Sequence, residues 1–152
     1  MDFDLVGNYD VTNIINFLNN NPQLWDKDPE PNKVDVPRCK SLMNSDSPEL
    51  WLFIDPIAED LARRFGGRIT QHSLTLLPAH DAIRGHSDND VTGLRRFHVP
   101  IQTNQNVRFY CGNSQINMKV GQCWEFDYKK WHRVVNDGDT DRIHLLVDLS
   151  KD

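Results

Sequence analysis

A histidine and an aspartate stand one residue apart in the polar run IRGHSDND, residues 83–90, and no helical pattern surrounds them. In an extended segment, residues two apart project to the same side, so His86 and Asp88 can both reach one metal ion. Two histidines and one carboxylate on one face of a metal form the ligand set of mononuclear non-haem Fe(II) centres, whose opposite positions stay open for a co-substrate and dioxygen. H-x-D alone is a weak signal, and a solvated turn is the bland alternative. A third ligand must come from elsewhere. His132, in KKWHRVV, is the leading candidate, 46 residues after His86 and at the start of a strand-like run. A half-buried strand histidine is the alternative there. His72, His80, His98 and His144 complete a set of six, so the number of histidines decides nothing.

Arg142 follows His132 by 10 residues. In RIHLLVDL it alternates with His144, Leu146 and Asp148 against the apolar Ile143, Leu145, Val147 and Leu149. An arginine turned into a barrel must meet an anion, because an unpaired buried charge is costly. A carboxylate fits the guanidinium fork bidentately. The competing reading is a surface ion pair with Asp139, Asp141 or Asp148.

The elements that would carry these groups fall into two patterns. The first third reads as helical and irregular. Asp10 is placed to cap a short helix bearing Val11, Ile14, Ile15 and Leu18. DKDPEPNKVDVP (26–37) reads as a loop. In SPELWLFIDPIAEDLARRFGG, Ser47-Pro48 is a start signal and Gly66-Gly67 a stop, with Ile54, Ile57, Ala58, Leu61 and Phe65 on one face. Pro56 predicts a kink or a break there, with Asp55 capping a second helix. After Gly67 the period becomes two: RITQHSLTLLP, RRFHVPIQT, VRFYC, CWEFDY and RIHLLVDL are short strands, separated by turn signals at 112–113, 120–122 and 136–141. In the second of these, Phe97, Val99 and Ile101 share a face opposite Arg96, His98 and Pro100. The pattern predicts a mainly β sandwich or barrel with N-terminal helices packed on one sheet. The expected organisation is a single domain over 1–152, with 1–67 as a helical lead-in and 68–150 as the β core.

Length and composition frame these elements. At 152 residues, 38 % apolar and 26 % charged, the chain reads as one ordinary globular domain. A net charge of −5 gives no basic footprint for nucleic acid. No apolar stretch approaches the ~20 residues of a membrane span. The acidic start MDFDLVGNYD lacks the marks of a signal peptide. Three cysteines, Cys39, Cys111 and Cys123, without CxxC spacing argue against a disulfide framework, so a cytoplasmic setting is expected.

LLPAHDAIRGHSD, RRFHVPIQTNQNVRFYC, MKVGQCWEFDYKKWHRVVNDG and DRIHLLVDL keep an order and spacing that resemble the aspartyl/asparaginyl β-hydroxylase family, relatives of which include bacterial proline cis-hydroxylases. The likeness runs from about Leu76 to Leu149, nearly half the chain. It implies a double-stranded β-helix, Fe(II) and O2 as cofactors, and 2-oxoglutarate as cosubstrate, oxidised to succinate and CO2 as a C–H bond is hydroxylated. By the same resemblance His86 and His132 fall on the metal histidines, and Arg142 on the arginine for the distal carboxylate. Arg96 and His98 fall on an R-x-H lining the cosubstrate pocket, and Thr75 on a hydroxyl residue touching the cosubstrate. Animal members carry glycine where Asp88 stands, whereas bacterial amino-acid hydroxylases keep the acid, so this chain sides with the second group.

The expected partner is an amino acid, free or within a peptide or protein, and neither nucleic acid nor a membrane. Segments 26–46 and 78–95 are the expected pocket-shaping loops, and they carry no readable specificity code. Two other classes compete: a non-catalytic barrel serving as a small-molecule binding module, and a Zn or Mn isomerase. The first is expected to have lost a ligand or the arginine, and the second has no need of Arg142 inside the barrel.

Overall fold

The computed structural model describes residues 1–29, 38–88 and 93–151. Among these residues, ten strands form two antiparallel sheets. The strands are β1 (Phe3–Asn8), β2 (Lys40–Leu42), β3 (Arg68–Leu77), β4 (Asp81–His86), β5 (Leu94–Gln102), β6 (Val107–Cys111), β7 (Ser114–Ile116), β8 (Gln122–Phe126), β9 (His132–Asn136) and β10 (Arg142–Ser150). The larger sheet has the order β1-β8-β5-β10-β3-β2, and the smaller β4-β9-β6-β7. Facing sheets with this interleaved chain order make a double-stranded β-helix.

Alternation along the central strands explains the layering. On β10, Ile143, Leu145, Val147 and Leu149 point outward and join Phe97, Val99 and Ile101 of β5 in one apolar cluster. Two helices cover that face: α1 (Thr12–Asn20) with Ile14 and Leu18, and α2 (Pro48–Phe65) with Leu50, Trp51, Ile54, Ile57, Ala58 and Leu61. Burying a residue such as Leu61 contributes roughly 1.5–3 kcal/mol, which makes the helix–sheet layer a major source of stability. The second cluster lies between the sheets and holds Leu77, Val107, Phe109, Cys111, Met118, Phe126, Tyr128 and Val134. Cys39, Cys111 and Cys123 are all buried.

Four local readings need correction. The segment 1–67 is more than a helical lead-in, because β1 and β2 are strands at the two edges of the larger sheet. β1 pairs with β8 at Phe3↔Phe126 and is bulged between Leu5 and Gly7, a break that blurs its period-two signal. Pro56 does not divide the helix: α2 runs unbroken from Pro48 to Phe65. Pro56 and Leu52 both lie on the exposed face, where the carbonyl deprived of its amide partner meets water. Asp55 therefore caps nothing and pairs instead with His72 Nε2 at 3.0 Å. Asp10 sits one residue before the α1 N-cap, Val11, and accepts from the Thr12 N–H at 3.0 Å. Ser47 does cap α2, accepting from the Leu50 N–H at 3.3 Å. Of the loops expected to shape the pocket, residues 30–37 and 89–92 lie outside the described residues, while 81–86 form β4.

Candidate metal centre and anion pocket

His86 ends β4 and His132 begins β9, and the two are direct cross-strand partners. A β-bulge creates that pairing. Ile83 faces Val134, but Arg84 and Gly85 together oppose one residue before His86 meets His132. In an unbulged register Gly85 would face His132. The imidazole centroids lie 4.4 Å apart. Trp131 fills the bulge: a Cβ on Gly85 would lie 2.4 Å from its indole, so only glycine lets the ring sit there.

Asp88 follows two residues after His86, tied by its N–H to the Tyr128 carbonyl at 3.1 Å. One ligand atom each from His86, Asp88 and His132 fall within 4.8 Å of one another. Asp88 approaches His86 Nε2 at 3.6 Å and His132 Nε2 at 3.5 Å. Both histidines lie near the main-chain carbonyl two residues earlier through Nδ1: His86 to Arg84 at 2.7 Å and His132 to Lys130 at 2.8 Å. A carbonyl only accepts, so each Nδ1 carries a proton and each Nε2 is the atom turned to the shared point, the one that would give its lone pair to a metal. The residues present fit a divalent metal in ligand type and aim.

Electrostatics hold Asp88 charged. His132 and then Arg96 and His86 lower its pKa, against the opposing effect of burial. Arg96 Nη1 donates to Asp88 at 2.9 Å, while Nε and Nη2 clasp Asp148 at 2.8 Å each. Burial disfavours the Arg96 charge, but its carboxylate partners outweigh that and raise its pKa. His132 is buried against Phe126, at 5.1 Å between ring centroids, and Phe109, at 6.5 Å, whereas His86 and Asp88 remain about a quarter exposed. The cluster thus has one closed apolar side and one open side.

Arg142 starts β10, at the other end of that strand from Asp148. It is 1 % exposed and makes no ion pair among the described residues. The carboxylates that offered a surface pairing are otherwise engaged: Asp148 holds Arg96, Asp141 accepts from the Ala79 N–H, and Asp139 meets His80. Its Nε has no hydrogen-bond partner among the described residues, and burial lowers its pKa to about 10. His144 accompanies it on the inward face, and Thr75 on β3 is directly opposite His144. His98 on β5 closes the wall, its Nδ1 3.0 Å from His144 Nδ1.

Thr75, His98 and Arg142 therefore share one wall of the larger sheet. Arg96 is placed differently from a free pocket arginine, being committed to Asp148 and Asp88. Sequence reading missed the Asp148 clasp, Gly85 and Trp131, and the partner role of His144. Only the inward parity of Asp148 and His144 on the last strand gave a signal for any of these.

A model of the family described as Aspartyl/Asparaginyl beta-hydroxylase matches residues 30–152. No curated protein matches the chain in sequence. Among solved structures, the viral collagen prolyl hydroxylase of Paramecium Bursaria Chlorella virus-1, a 2OG complex, aligns with a TM-score of 0.67 at 10 % identity, over 99 % of this chain and 97 % of that one. A prolyl-4-hydroxylase of Pseudomonas putida gives 0.66 at 9 % identity, over 98 % and 92 %. An oxidoreductase of the 2OG-Fe(II) oxygenase family from Burkholderia pseudomallei gives 0.62 at 13 %, over 89 % and 79 %. At such identities the likeness is one of fold.

Proposed function

Since the chain belongs to the aspartyl/asparaginyl β-hydroxylase family, we propose that it is an Fe(II)- and 2-oxoglutarate-dependent dioxygenase that hydroxylates an amino acid, free or within a peptide or protein. The observation that carries this reading is a buried Arg142, without a carboxylate partner among the described residues, on the inward face of the larger sheet and linked through His144, His98 and Phe126 to His132 of the cluster on the smaller sheet. A metal site alone suits many reactions. A metal site with a buried, unpaired arginine turned into the same barrel interior suits a cosubstrate that is ligated at one end and ion-paired at the other.

In this reading Fe(II) is held by Nε2 of His86 and His132 and by Asp88. With O2 and 2-oxoglutarate it supplies insertion of one oxygen atom into a substrate C–H bond, with the second oxygen atom passing into succinate and CO2 released. The chain's own groups do the positioning. The Arg84 and Lys130 carbonyls fix the two imidazole tautomers. Arg96, braced by Asp148, orients Asp88. Arg142 and Thr75 hold the distal carboxylate of 2-oxoglutarate. Phe109 and Phe126 keep water from the His132 side, and substrate arrives on the open side by His86.

The direct test is anaerobic Fe(II) loading, then exposure to air with 2-oxoglutarate and a panel of amino acids and peptides. Succinate formation that rises with one panel member, together with a gain of one oxygen atom in that member by mass spectrometry, is the expected result. Metal binding without 2-oxoglutarate turnover under any condition would instead leave a binding module.

A further inference from the structure

The barrel interior around Arg142 holds a second polar group with one ring nitrogen unpartnered among the described residues. His144 is 1 % exposed, and its Nδ1 lies 3.3 Å from Arg142 Nη1 and 3.0 Å from His98 Nδ1. A guanidinium has only donors, so His144 Nδ1 must be the acceptor. Burial, aided by Arg142, keeps both histidines far below the ordinary histidine range, and therefore neutral. A neutral imidazole carries one proton, so the His144 proton sits on Nε2. The proton between the two Nδ1 atoms then belongs to His98. Among the described residues this network leaves His144 Nε2–H as a buried donor without a partner, and Arg142, whose Nη1 donates to the same imidazole, has an unpartnered Nε as well. Buried donors are nearly always paired, so two orphans on a hydrogen-bonded pair of inward-facing residues mark the place of an acceptor. The acceptor that suits a cation and a neutral N–H together is a carboxylate.

We propose that His144 donates through Nε2 to the distal carboxylate of the cosubstrate, so that Arg142 and His144 together select a 2-oxo dicarboxylate over a 2-oxo monocarboxylate. His98 is the positioning residue that fixes the His144 tautomer. The assignment rests on the reading of the chain as a 2-oxoglutarate-using hydroxylase and adds to it a specificity-determining residue.

Calorimetry on the full-length, Zn(II)-loaded protein reads binding without turnover. H144N keeps a carbonyl oxygen near the Nδ1 position, where it accepts from Arg142 and His98, but has no donor at the Nε2 position. H144Q reaches that position with an amide N–H. The Kd for 2-oxoglutarate is expected to rise about tenfold to a hundredfold in H144N, the loss of one hydrogen bond to a charged group. Zn(II) affinity should stay unchanged, and H144Q should recover most of the loss. Competition with 2-oxopentanoate, which has a methyl in place of the distal carboxylate, should show a narrower preference for the diacid in H144N. In the wild-type protein, the His144 Nε2–H resonance should move downfield when 2-oxoglutarate is added, a readout that needs no variant. Wild-type affinity in H144N, an unmoved resonance, or joint loss of metal and 2-oxoglutarate binding would overturn the assignment. If R142M loses 2-oxoglutarate while H144N retains it, only the His144 inference falls. A wild-type protein that never binds 2-oxoglutarate removes the functional reading as well.

Discussion

Arg142 sets stability against function at a single position. Its guanidinium is 1 % exposed without a carboxylate among the described residues, so the ligand-free protein bears the cost of a buried, unpaired charge. Replacing it with methionine should therefore stabilise the ligand-free protein by at least ~1 kcal/mol, measured by urea unfolding. The same substitution should weaken 2-oxoglutarate binding about a hundredfold or more, since losing one partner of a desolvated ion pair costs about 3–5 kcal/mol. R142K keeps the charge but not the bidentate fork, and should fall between the two in a calorimetric titration. A variant that is less stable and binds 2-oxoglutarate normally would identify Arg142 as an ordinary structural residue. At the metal cluster, both imidazoles must be neutral to act as ligands, so metal affinity should decline on acidification, as a pH series of Zn(II) titrations would show.

The elements position these groups through irregularities as much as through regular pairing. The bulge at Arg84 and Gly85 turns His86 toward His132, and Trp131 occupies the space above Gly85 although the ring is 63 % exposed. G85A places a methyl 2.4 Å from the indole and should displace Trp131, disturb the His86–His132 pair and weaken metal binding. The fold should survive, because neither apolar cluster includes the site of the change. Unaltered Zn(II) affinity in G85A would mean that the Trp131 contact is incidental. Helix α2 gives the complementary case. Leu61 is fully buried on the outer face of the larger sheet, so L61A should cost about 2–5 kcal/mol in urea unfolding. Metal affinity of the folded fraction should not change, because the helix packs on the face opposite the site.

For the whole molecule, burial of ionisable groups predicts a distinctive alkaline profile. Burial raises Cys111 from an ordinary 9.0 to about 11 and Cys123 to about 12, and raises Tyr9 from 10.0 to about 12. Above pH ~9 the unfolded chain loses thiol protons that the native state keeps, so stability falls as pH rises. Arg142 acts in reverse: with its pKa lowered from 12.5 to about 10, the native state sheds a proton first and regains stability above pH ~10. Urea midpoints from pH 8 to 11 should fall in the wild-type protein and fall more steeply above pH 10 in R142M, and parallel curves would refute the sign assigned to Arg142. The same molecule divides cleanly into what the sequence determined and what it left open. Period-two alternation in RIHLLVDL and RRFHVPIQT, and the 3.6-residue stripe of α2, specify which faces are apolar, because each strand or helix must bury one side. That was enough for a mainly β fold with helices on one sheet and for an inward-facing Arg142. Motif spacing nominated His86, Asp88 and His132. Tertiary structure alone decided the rest. β1 and β2 are strands because β8 and β3 offer edges to pair with, and a bulged or three-residue strand has too little pattern of its own. Pro56 stays within a helix because its side of α2 faces water. The register of β4 on β9, the clasp of Asp148 on Arg96 and the orphan N–H of His144 depend on partners 46 to 55 residues away, and such distances are set by sheet pairing rather than by any local run of residues.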